Sequence, residues 1–255
     1  MRLKNKTALI TGGSSGIGKE VCIAYAAEGA NVIVNYYEDN DKDANDVVKR
    51  IKEKGGNATS FCCDVGYEKE INEMLVTVIK DWGGVDILVN NAGIYPRKKW
   101  YEITSEEWDR VHSVNLKACF LTSKGVFPYM KNKGYGKIIN VSSVTFWSGQ
   151  KGFLHYVSSK GGVIGLTRAL AREVGEHGIS VNAITPGAVQ TEKELKDLRD
   201  LKKRKENDEF LRKSQSFDRR QIPKDMVGTF VFLASEESDF ITGQTLNVDG
   251  GWMMH

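Results

Sequence analysis

Tyr156 and Lys160 are the two residues of this sequence whose types and spacing most directly indicate chemistry. They stand four apart at the start of a stretch with helical spacing, so both side chains are expected on one face of a helix. A free phenol has a pKa of about 10, so a tyrosine that exchanges a proton with an alcohol near neutral pH needs a cation beside it. Lys160 would supply that cation, which predicts acid/base chemistry at Tyr156.

A second chemical feature is the glycine-rich segment TGGSSGIG at residues 11–18, which lies between a short apolar run and a helical pattern. A phosphate-binding turn needs glycines because its backbone must bend sharply and approach a pyrophosphate. The charge of that pyrophosphate is then met by N–H groups at a helix N-terminus. The segment predicts a dinucleotide-binding turn, with a glycine-rich loop that merely turns the chain as the alternative.

The spacing Gly-x-x-x-Gly-x-Gly resembles the first motif of the short-chain dehydrogenase/reductase family, and the resemblance extends over the whole chain. The other motifs are Asn90-Asn91-Ala92-Gly93, Ser143, Tyr156-x-x-x-Lys160, Pro186-Gly187 and the closing segment Gly243-Gln244-Thr245-Leu246-x-Val248-Asp249-Gly250-Gly251. The resemblance implies a Rossmann-type seven-stranded parallel sheet, a nicotinamide cofactor, and hydride transfer to or from a carbonyl or alcohol.

The same resemblance assigns catalytic roles to four residues. It makes Tyr156 the general acid/base, and it makes Lys160 both the group that lowers the tyrosine pKa and a hydrogen-bond partner of the nicotinamide ribose. Ser143 stands thirteen residues before Tyr156, where the family places the serine that holds the substrate oxygen. Ser142 is the neighbouring alternative, although only one of two successive strand residues faces the site. Asn115 matches the family's helix asparagine, with a helix cap or kink as its alternative role.

The cofactor-binding residues implied by the resemblance come from the turns that follow the strands. Asp64 and Val65 should meet the adenine, although Asp64 could instead cap a helix. The full set is Gly12, Ser14, Ser15, Gly16, Ile17, Gly18, Asn35, Asp64, Val65, Asn91, Ala92, Gly93, Tyr156, Lys160, Pro186, Gly187, Val189 and Thr191.

The choice between NAD and NADP depends on the residues after the second strand. An NAD enzyme usually places an acid there for the ribose 2′-OH, and an NADP enzyme places an arginine there or nearby. This chain has Asn35 at the expected position, Ser15 before the second motif glycine, and Glu38 and Asp39 slightly beyond. Neither pattern is complete, and the two acids favour NAD over NADP.

The predicted substrate pocket is largely aromatic and apolar, which suits a hydrophobic or aryl carbonyl better than a free sugar. Its residues are Tyr95, Thr145, Trp147, Phe153 and His155. The segment Gly93–Pro96, the Trp147 site, the His155-Tyr156 pair and the ending Gly250-Gly251-x-x-x-His255 resemble the aryl-alcohol and cyclic-alcohol dehydrogenases of the family.

Three other functions remain open. β-Ketoacyl reductases (3-oxoacyl-(acyl-carrier-protein) reductases) resemble this chain over its full length, and they usually carry basic residues for the acidic carrier near the stretches occupied here by Lys133 and His177. A sugar or polyol dehydrogenase is the second alternative. The third is a non-enzymatic regulator that senses the dinucleotide, which retention of the four catalytic residues disfavours.

Seven short apolar, β-branched runs alternate with helical segments, and these elements must position the residues above. The runs are Thr7–Thr11, Asn31–Asn35, Thr59–Cys63, Val85–Asn90, Lys137–Ser142, Ser180–Ile184 and Thr245–Val248. Alternation of this kind predicts βαβ units and a doubly wound parallel sheet with helices on both faces. Because no linker interrupts it, one domain is expected over residues 1–255.

The composition excludes several classes of protein. With 36 Lys+Arg against 33 Asp+Glu, the net charge of +3 lacks the excess of a nucleic-acid or membrane-surface protein. No window approaches the ~18 apolar residues of a membrane span. The four cysteines lack the C-x-x-C pairing of zinc or redox sites, which indicates a reduced, cytoplasmic compartment and no metal site.

The excess positive charge lies in one segment. Twelve Lys/Arg and nine Asp/Glu fall between Glu192 and Asp225, which accounts for the whole +3. The family resemblance makes residues 188–225 a helical lid over substrate and nicotinamide. It also implies a homotetramer that acts on a small-molecule carbonyl or alcohol.

Overall fold

The computed structural model describes residues 1–197 and 200–254. Leu198 and Arg199 of the predicted lid and His255 of the closing motif lie outside the described residues. The described chain forms a seven-stranded, all-parallel sheet in the order β3-β2-β1-β4-β5-β6-β7, with helices packed on it. This arrangement confirms the predicted Rossmann-type α/β fold.

The strands begin and end within two residues of the predicted runs. They are β1 (Thr7–Ile10), β2 (Asn31–Tyr36), β3 (Asn57–Cys62), β4 (Ile87–Asn90), β5 (Gly136–Val141), β6 (Ile179–Pro186) and β7 (Thr245–Val248). Pairing in the sheet, rather than hydrophobicity, sets these limits. β6 continues to Pro186 because that residue is still in register with Val248, and β3 begins at Asn57 opposite Asn31.

Helices follow the strands along the chain. The α-helices of the described residues are α1 (Gly16–Ala27), α2 (Asp41–Glu53), α3 (Glu68–Trp82), α4 (Ser105–His112), α5 (Ala118–Lys133), α6 (Thr145–Ser148), α7 (Leu154–Val174), α8 (Glu192–Asp197), α9 (Leu201–Ser214) and α10 (Pro223–Ala234). A π-helical turn, Ser113–Lys117, joins α4 to α5. The segment after β6 is helical, as predicted. No helix of residues 1–197 and 200–254 has the length and apolar character to cross a lipid bilayer.

Two apolar cores cover the faces of the sheet. Successive strand residues point to opposite faces, so Ile10 packs in the core that contains Tyr25 and Phe230, whereas Leu9 packs with Met74 in the other. The first core holds α1, α2 and α10, and the second holds α3, α5 and α7. Burial on both faces explains why β1, β4, β5 and β6 are buried at every position.

The order of the strands reverses direction between β1 and β4, which are neighbours in the sheet. The chain segments leaving these two strands therefore run to opposite sides and open a crevice at their carboxyl ends. Doubly wound sheets bind ligands at such a switch point. The glycine-rich turn follows β1 and Asn91 follows β4, so the fold places both at this crevice.

A buried chain of polar side chains fastens β4 and β5 to the helices. Asn90 and Asn140 are in register, and Asn90 Nδ2 donates to Asn140 Oδ1 at 2.8 Å. Thr122 of α5 donates to Asn90 Oδ1 at 2.7 Å, and Asn140 Nδ2 donates to Thr167 of α7 at 2.9 Å. Each side-chain amide forms a hydrogen bond with the next polar group, so loss of one amide leaves buried polar groups without hydrogen-bond partners.

We expect Asn140→Ala to lower the free energy of unfolding by about 3 kcal/mol, because Asn90 and Thr167 would each lose a buried hydrogen bond. Urea denaturation measures the difference. Asn57→Ala is the control, since it removes an exposed strand asparagine whose side chain bonds Asn31 at the surface, and it should change the stability by less than about 0.5 kcal/mol. Equal effects of the two substitutions would contradict this account.

Candidate active site

A cavity of about 400 Å³ lies at the carboxyl ends of the central strands. It collects residues that the sequence places far apart, from the turns after β1, β4, β5 and β6 and from the start of α7. Its lining residues are Ile17, Asn91, Gly93, Tyr95, Val141, Ser142, Ser143, Val144, Thr145, Gln150, Phe153, Tyr156, Lys160, Pro186, Gly187, Ala188, Val189, Thr191, Glu194, Asn207, Phe210, Leu211 and Trp252.

The glycine-rich turn has the geometry that a phosphate-binding turn requires. Gly12 and Gly16 have φ angles of 61° and 53°, in the left-handed region that favours glycine. A Cβ on Gly18 would lie 2.3 Å from the carbonyl oxygen of Gly12. Glycine at this position therefore lets the first turn of α1 pack against the turn and direct its N–H groups at a ligand.

Thr11 and Asn91 join the turn to the end of β4. The Thr11 hydroxyl accepts the N–H groups of Asn91 and Ala92 at 2.9 and 3.0 Å. Asn91 Nδ2 donates back to the carbonyls of Thr11 and Gly12 at 2.9 and 3.1 Å. Asn91 and Ala92 thus hold the turn against β4, and the sequence analysis missed Thr11, which precedes the first glycine.

Asn35 joins the turn to β2 and is buried. Its Oδ1 accepts the Gly12 N–H at 3.2 Å, and its Nδ2 donates to the Cys63 carbonyl at 3.0 Å. These contacts bury the side chain and make it a support of the turn, and the direct cofactor contact of Asn35 stays a prediction. β2 runs to Tyr36, so Asn35 is still a paired strand residue opposite Phe61 of β3.

The predicted adenine-binding residues Asp64 and Val65 are buried just beyond the end of β3. The Asp64 carboxylate accepts two bonds from Arg110 of α4, at 3.2 and 2.7 Å, and one from the Gly66 N–H at 2.8 Å. The Arg110 guanidinium also lies 5.9 Å from the centre of the Tyr37 ring. The exposed Tyr37 and Glu38 follow β2 here, and the Asp39 side chain lies outside the described part of the structure.

Glu192 of α8 reaches the glycine-rich turn from the other side. Its carboxylate accepts the Gly16 N–H at 3.3 Å and forms an ion pair with Lys19 of α1. Hydrogen bonds from Lys19 and Gly16 lower the pKa of Glu192, although its partial burial acts the other way and is the largest single effect. Ser14 and Ser15 border this contact. An anion of the chain itself therefore contacts the Gly16 N–H and Lys19, groups of the kind that can also bind a phosphate.

Tyr156 of α7 lines the cavity between two other aromatic rings. The Tyr95 ring lies 6.2 Å and the Phe153 ring 6.1 Å from it, both edge-on. Burial raises the pKa of Tyr156, and the Ser143 hydroxyl nearby acts on this pKa in the opposite direction. The structure thus brings together the predicted base and the predicted oxygen-binding serine. Ser142, the alternative, donates to the Lys160 carbonyl at 2.7 Å instead.

Lys160 lies one turn after Tyr156, and its amine is buried. Nζ donates to the Val141 carbonyl at 2.7 Å and lies 5.8 Å from the centre of the Tyr156 ring. Burial lowers the pKa of Lys160 from 10.5 to about 8. Burial raises the pKa of Tyr156, and the opposing contribution comes from Ser143, so the expected lowering of this pKa by Lys160 is not seen. Gly93 lies beside the amine, where a Cβ would come within 3.4 Å of Nζ.

Asn115 lies in the π-helical turn between α4 and α5 and is fully buried. Its side chain accepts the Ile94 N–H at 2.8 Å and donates to the Ile94 carbonyl at 2.9 Å and to the Ser159 hydroxyl at 3.0 Å. It therefore ties the loop after β4 to α7. π-helical turns inside helices frequently mark functional sites, and here the turn directs an amide at the Ile94 backbone and the Ser159 hydroxyl.

Three of the five predicted substrate residues line the cavity, namely Tyr95, Thr145 and Phe153. Trp147 does not, because it lies in the short helix α6 and packs edge-on against Phe146 with ring centres 4.8 Å apart. His155 does not either. It is one helix position from Tyr156, so it points elsewhere, and it is fully buried with its Nδ1 accepting the Tyr156 N–H at 3.1 Å.

The charged segment after β6 closes the cavity with Asn207, Phe210 and Leu211 of α9, which the sequence analysis did not select individually. Arg220 holds this segment together. Its guanidinium donates to Glu194 of α8 at 2.8 and 2.9 Å, to the Ala188 carbonyl at 3.1 Å, and to Asp208 of α9. Ion pairs within the segment therefore neutralise much of its positive charge. In the described part of the chain, no group of three His, Cys, Asp or Glu side chains could hold a metal ion.

Comparison with known proteins identifies relatives along the whole chain. The family model described as short chain dehydrogenase matches residues 6–201. A 3-oxoacyl-(acyl-carrier-protein) reductase of Staphylococcus epidermidis is 40% identical over 257 residues, which are 98% of this chain and 100% of that protein. General stress protein 39 of Bacillus subtilis is 38% identical, over 98% of this chain and 85% of that protein.

Solved structures agree with these sequence matches. One from Agrobacterium tumefaciens superimposes with a TM-score of 0.92 at 34% identity and covers 98% of this chain and 96% of that one. A short-chain type dehydrogenase/reductase from Mycobacterium marinum gives a TM-score of 0.89 at 32% identity and covers 99% of this chain and 97% of that one. The similarity in structure therefore extends over nearly the whole chain.

We expect Glu192→Gln to tighten dinucleotide binding roughly threefold to tenfold, equivalent to about 1 kcal/mol, because a carboxylate would no longer compete with the pyrophosphate for Gly16 and Lys19. Isothermal titration calorimetry with NAD and with NADP measures the change in Kd. Glu206→Gln removes the same charge from an exposed site on α9 and should leave the Kd unchanged. Weaker binding by Glu192→Gln would mean that the carboxylate helps to hold the cofactor.

We expect Lys160→Met and the wild type to differ in the pH dependence of their stability. Below pH 8 the wild type bears the full cost of a buried ammonium ion. Between about pH 8 and 10.4 the native amine loses its proton while the unfolded chain keeps it, so wild-type stability rises relative to the variant by about 3 kcal/mol. Denaturation of both proteins at pH 7 and 10 measures this change, and parallel curves would contradict the burial of a charged amine. Lys117→Met, at an exposed site, is the control.

Proposed function

The chain belongs to the short-chain dehydrogenase family, and we propose that this oxidoreductase interconverts a secondary alcohol and a ketone with NAD or NADP. The main support is the convergence of Tyr156, Ser143 and Lys160 on one cavity next to the glycine-rich turn. The family relationship makes nicotinamide chemistry the expectation, and retention of these three groups argues against a protein that only senses the dinucleotide.

Tyr156 and Ser143 divide the work at the substrate oxygen. During alcohol oxidation the phenolate of Tyr156 takes the hydroxyl proton, and the Ser143 hydroxyl donates a hydrogen bond to the oxygen as its charge develops. A bound nicotinamide supplies the hydride acceptor in this direction and the hydride donor in the reverse. Lys160 contributes a positive charge behind the phenol, and Asn115 keeps the Gly93–Ile94 loop in place.

The surroundings of Tyr156 favour a hydrophobic substrate, with an aryl or cyclic ketone or alcohol as the proposed class. The rings of Tyr95 and Phe153 flank the phenol, and Phe210 and Leu211 close the cavity from α9. A volume of about 400 Å³ is near the lower limit for small-molecule sites and must also admit the nicotinamide. These properties suit a compact apolar molecule better than a sugar or polyol.

We propose NAD as the preferred dinucleotide. Ser15 stands where a basic residue would bind a 2′-phosphate, and the exposed Glu38 lies just beyond β2. Arg110 is close to Tyr37, but its charge is already engaged by the Asp64 carboxylate. A 2′-phosphate would therefore lie near the Glu38 carboxylate, and neither Ser15 nor the paired Arg110 would offer it a free positive charge.

Reduction of a 3-oxoacyl thioester is the second candidate function, and identity of 40% over the whole chain to such a reductase supports it. The residues at the suggested carrier-docking stretches lie away from the cavity. Lys133 pairs with Asp86, which precedes β4 at the opposite end of the sheet. His177 packs against Phe127 with ring centres 5.5 Å apart. These contacts favour the small ketone over the carrier-bound substrate.

Members of this family are typically oligomeric, and we propose a cytoplasmic homotetramer of single-domain subunits in which residues 188–225 act as the lid. Exposed apolar residues support association, including Phe120 on α5 and the fully exposed Phe240. Gly161 and Gly162 of α7 pack within the subunit, against Phe146 and Leu116, whereas a Cβ on Gly165 would meet no atom within 4 Å. α7 therefore has a side that a neighbouring subunit can approach closely.

Steady-state kinetics with a substrate panel tests the proposed function. Acetophenones, cyclohexanones, acetoacetyl thioesters and aldoses are assayed with both dinucleotides, and we expect the highest kcat/KM for an aryl or cyclic ketone with NADH. Tyr156→Phe should reduce turnover at least 1,000-fold, roughly the combined size of acid/base and oxyanion effects, while dinucleotide binding is retained. Residual turnover in the preparation of this variant would also reveal a contaminating dehydrogenase.

Different outcomes point to different errors. A preference for acetoacetyl thioesters would establish the second candidate function, and a preference for NADPH would overturn the choice of dinucleotide. Wild-type turnover by Tyr156→Phe would remove the assignment of the acid/base.

A further inference from the structure

Thr145, a residue of the cavity wall, holds Ser143 by two hydrogen bonds. Thr145, the first residue of α6, lies two residues after Ser143. Its backbone N–H donates to Ser143 Oγ at 3.2 Å, and its hydroxyl donates to the same oxygen at 2.9 Å. The turn that carries both residues is fixed to β6, because the N–H of Val144 donates to the Pro186 carbonyl at 3.1 Å.

A serine hydroxyl has one proton to donate and two lone pairs that accept. The two groups of Thr145 fill both acceptor sites of Ser143. The only hydrogen bond that Ser143 can still form is therefore the one it donates. This donation can reach the Tyr156 phenol or a substrate oxygen in the cavity, since both residues line it.

The direction of the Thr145–Ser143 bond follows from the proton count. A phenolate and a developing oxyanion only accept hydrogen bonds, so Ser143 must give its one proton to whichever of them it bonds in the cavity. The same proton is then not available for Thr145 Oγ1. The Thr145 hydroxyl must be the donor in this pair.

We propose that Thr145 is a positioning residue that makes Ser143 an obligate hydrogen-bond donor to Tyr156 and to the reacting oxygen. This inference rests on the proposed hydride-transfer function of the same cavity. No bond of Thr145 changes during the reaction. The alcohol proton passes to the Tyr156 oxygen, and Thr145 acts only by keeping the Ser143 proton directed at the developing charge.

The substitution Thr145→Val removes the hydroxyl donor, preserves the shape of the side chain and retains the backbone N–H. Ser143 can then rotate, so kcat should fall about tenfold while KM changes less than twofold, which is the pattern of an interaction made in the transition state. The pKa seen in the pH profile of alcohol oxidation should rise, because the phenolate loses its oriented donor. Thr145→Ser restores the hydroxyl and should restore both values.

A double-mutant cycle separates positioning from other roles. In the Ser143→Ala background, Thr145→Val should have no further effect on kcat, because Thr145 acts through the Ser143 hydroxyl. A role in folding or in substrate contact would persist in that background. Ser148→Ala, in the same short helix, removes an exposed hydroxyl and should leave kcat unchanged. Thermal unfolding and the dinucleotide Kd of each variant show whether the fold and cofactor site are intact.

The inference is overturned if Thr145→Val has wild-type kcat and pH profile, if it raises KM alone, or if its effect is undiminished in the Ser143→Ala background. Failure of the proposed function gives a different result. In that case Tyr156→Phe retains turnover or no alcohol or ketone of the panel reacts, whatever the Thr145 variants do. Should Thr145→Val unfold, Thr145→Ala and Thr145→Ser are compared in the same cycle, and equal kcat values for these two variants overturn the inference.

Discussion

The site depends on how firmly the carboxyl ends of β1, β2 and β4 are held to one another. Parallel strands leave their last N–H and carbonyl groups without strand partners at this edge, and here Thr11, Asn35 and Asn91 bond to many of them. These three side chains cross from one strand end to the next. The positions of the glycine-rich turn and of the Gly93 loop, and hence of the dinucleotide relative to Tyr156, follow from these few hydrogen bonds.

The fold could be predicted because it follows from a repeated pattern. Apolar β-branched runs alternate with helical segments, and burial on both faces leaves strands without polar alternation, as in β1 and β4. The meeting of Tyr156, Ser143 and Lys160 at one cavity could be predicted because Ser143 follows β5 and the other two lie four apart in the first two turns of α7. The supporting contact of Asn35 could not be predicted, because its hydrogen bond to the Gly12 N–H joins residues 23 positions apart in the sequence.

Other parts of the site leave no local signal in the sequence. Arg110 forms hydrogen bonds with Asp64, 46 residues away in the sequence, and Glu192 accepts one from Gly16, 176 residues away. Both are common charged residues on helices, and nothing in their neighbourhood distinguishes them from solvent-exposed charges. The direction of His155 and Trp147 depends on rotation about α7 and α6, which spacing alone specifies only roughly. Long-range pairing and side-chain direction are thus what the structure adds.

The short helix α8 touches both halves of the site, because Glu192 contacts the glycine-rich turn and Glu194, two residues later, lines the cavity and binds Arg220. A dinucleotide that displaces Glu192 must therefore act on the element that holds Glu194. Linkage makes such an effect reciprocal in the binding free energies. By whatever factor the dinucleotide changes the affinity of the cavity for its substrate, the substrate changes the affinity for the dinucleotide by the same factor. α8 is an element that contacts both places.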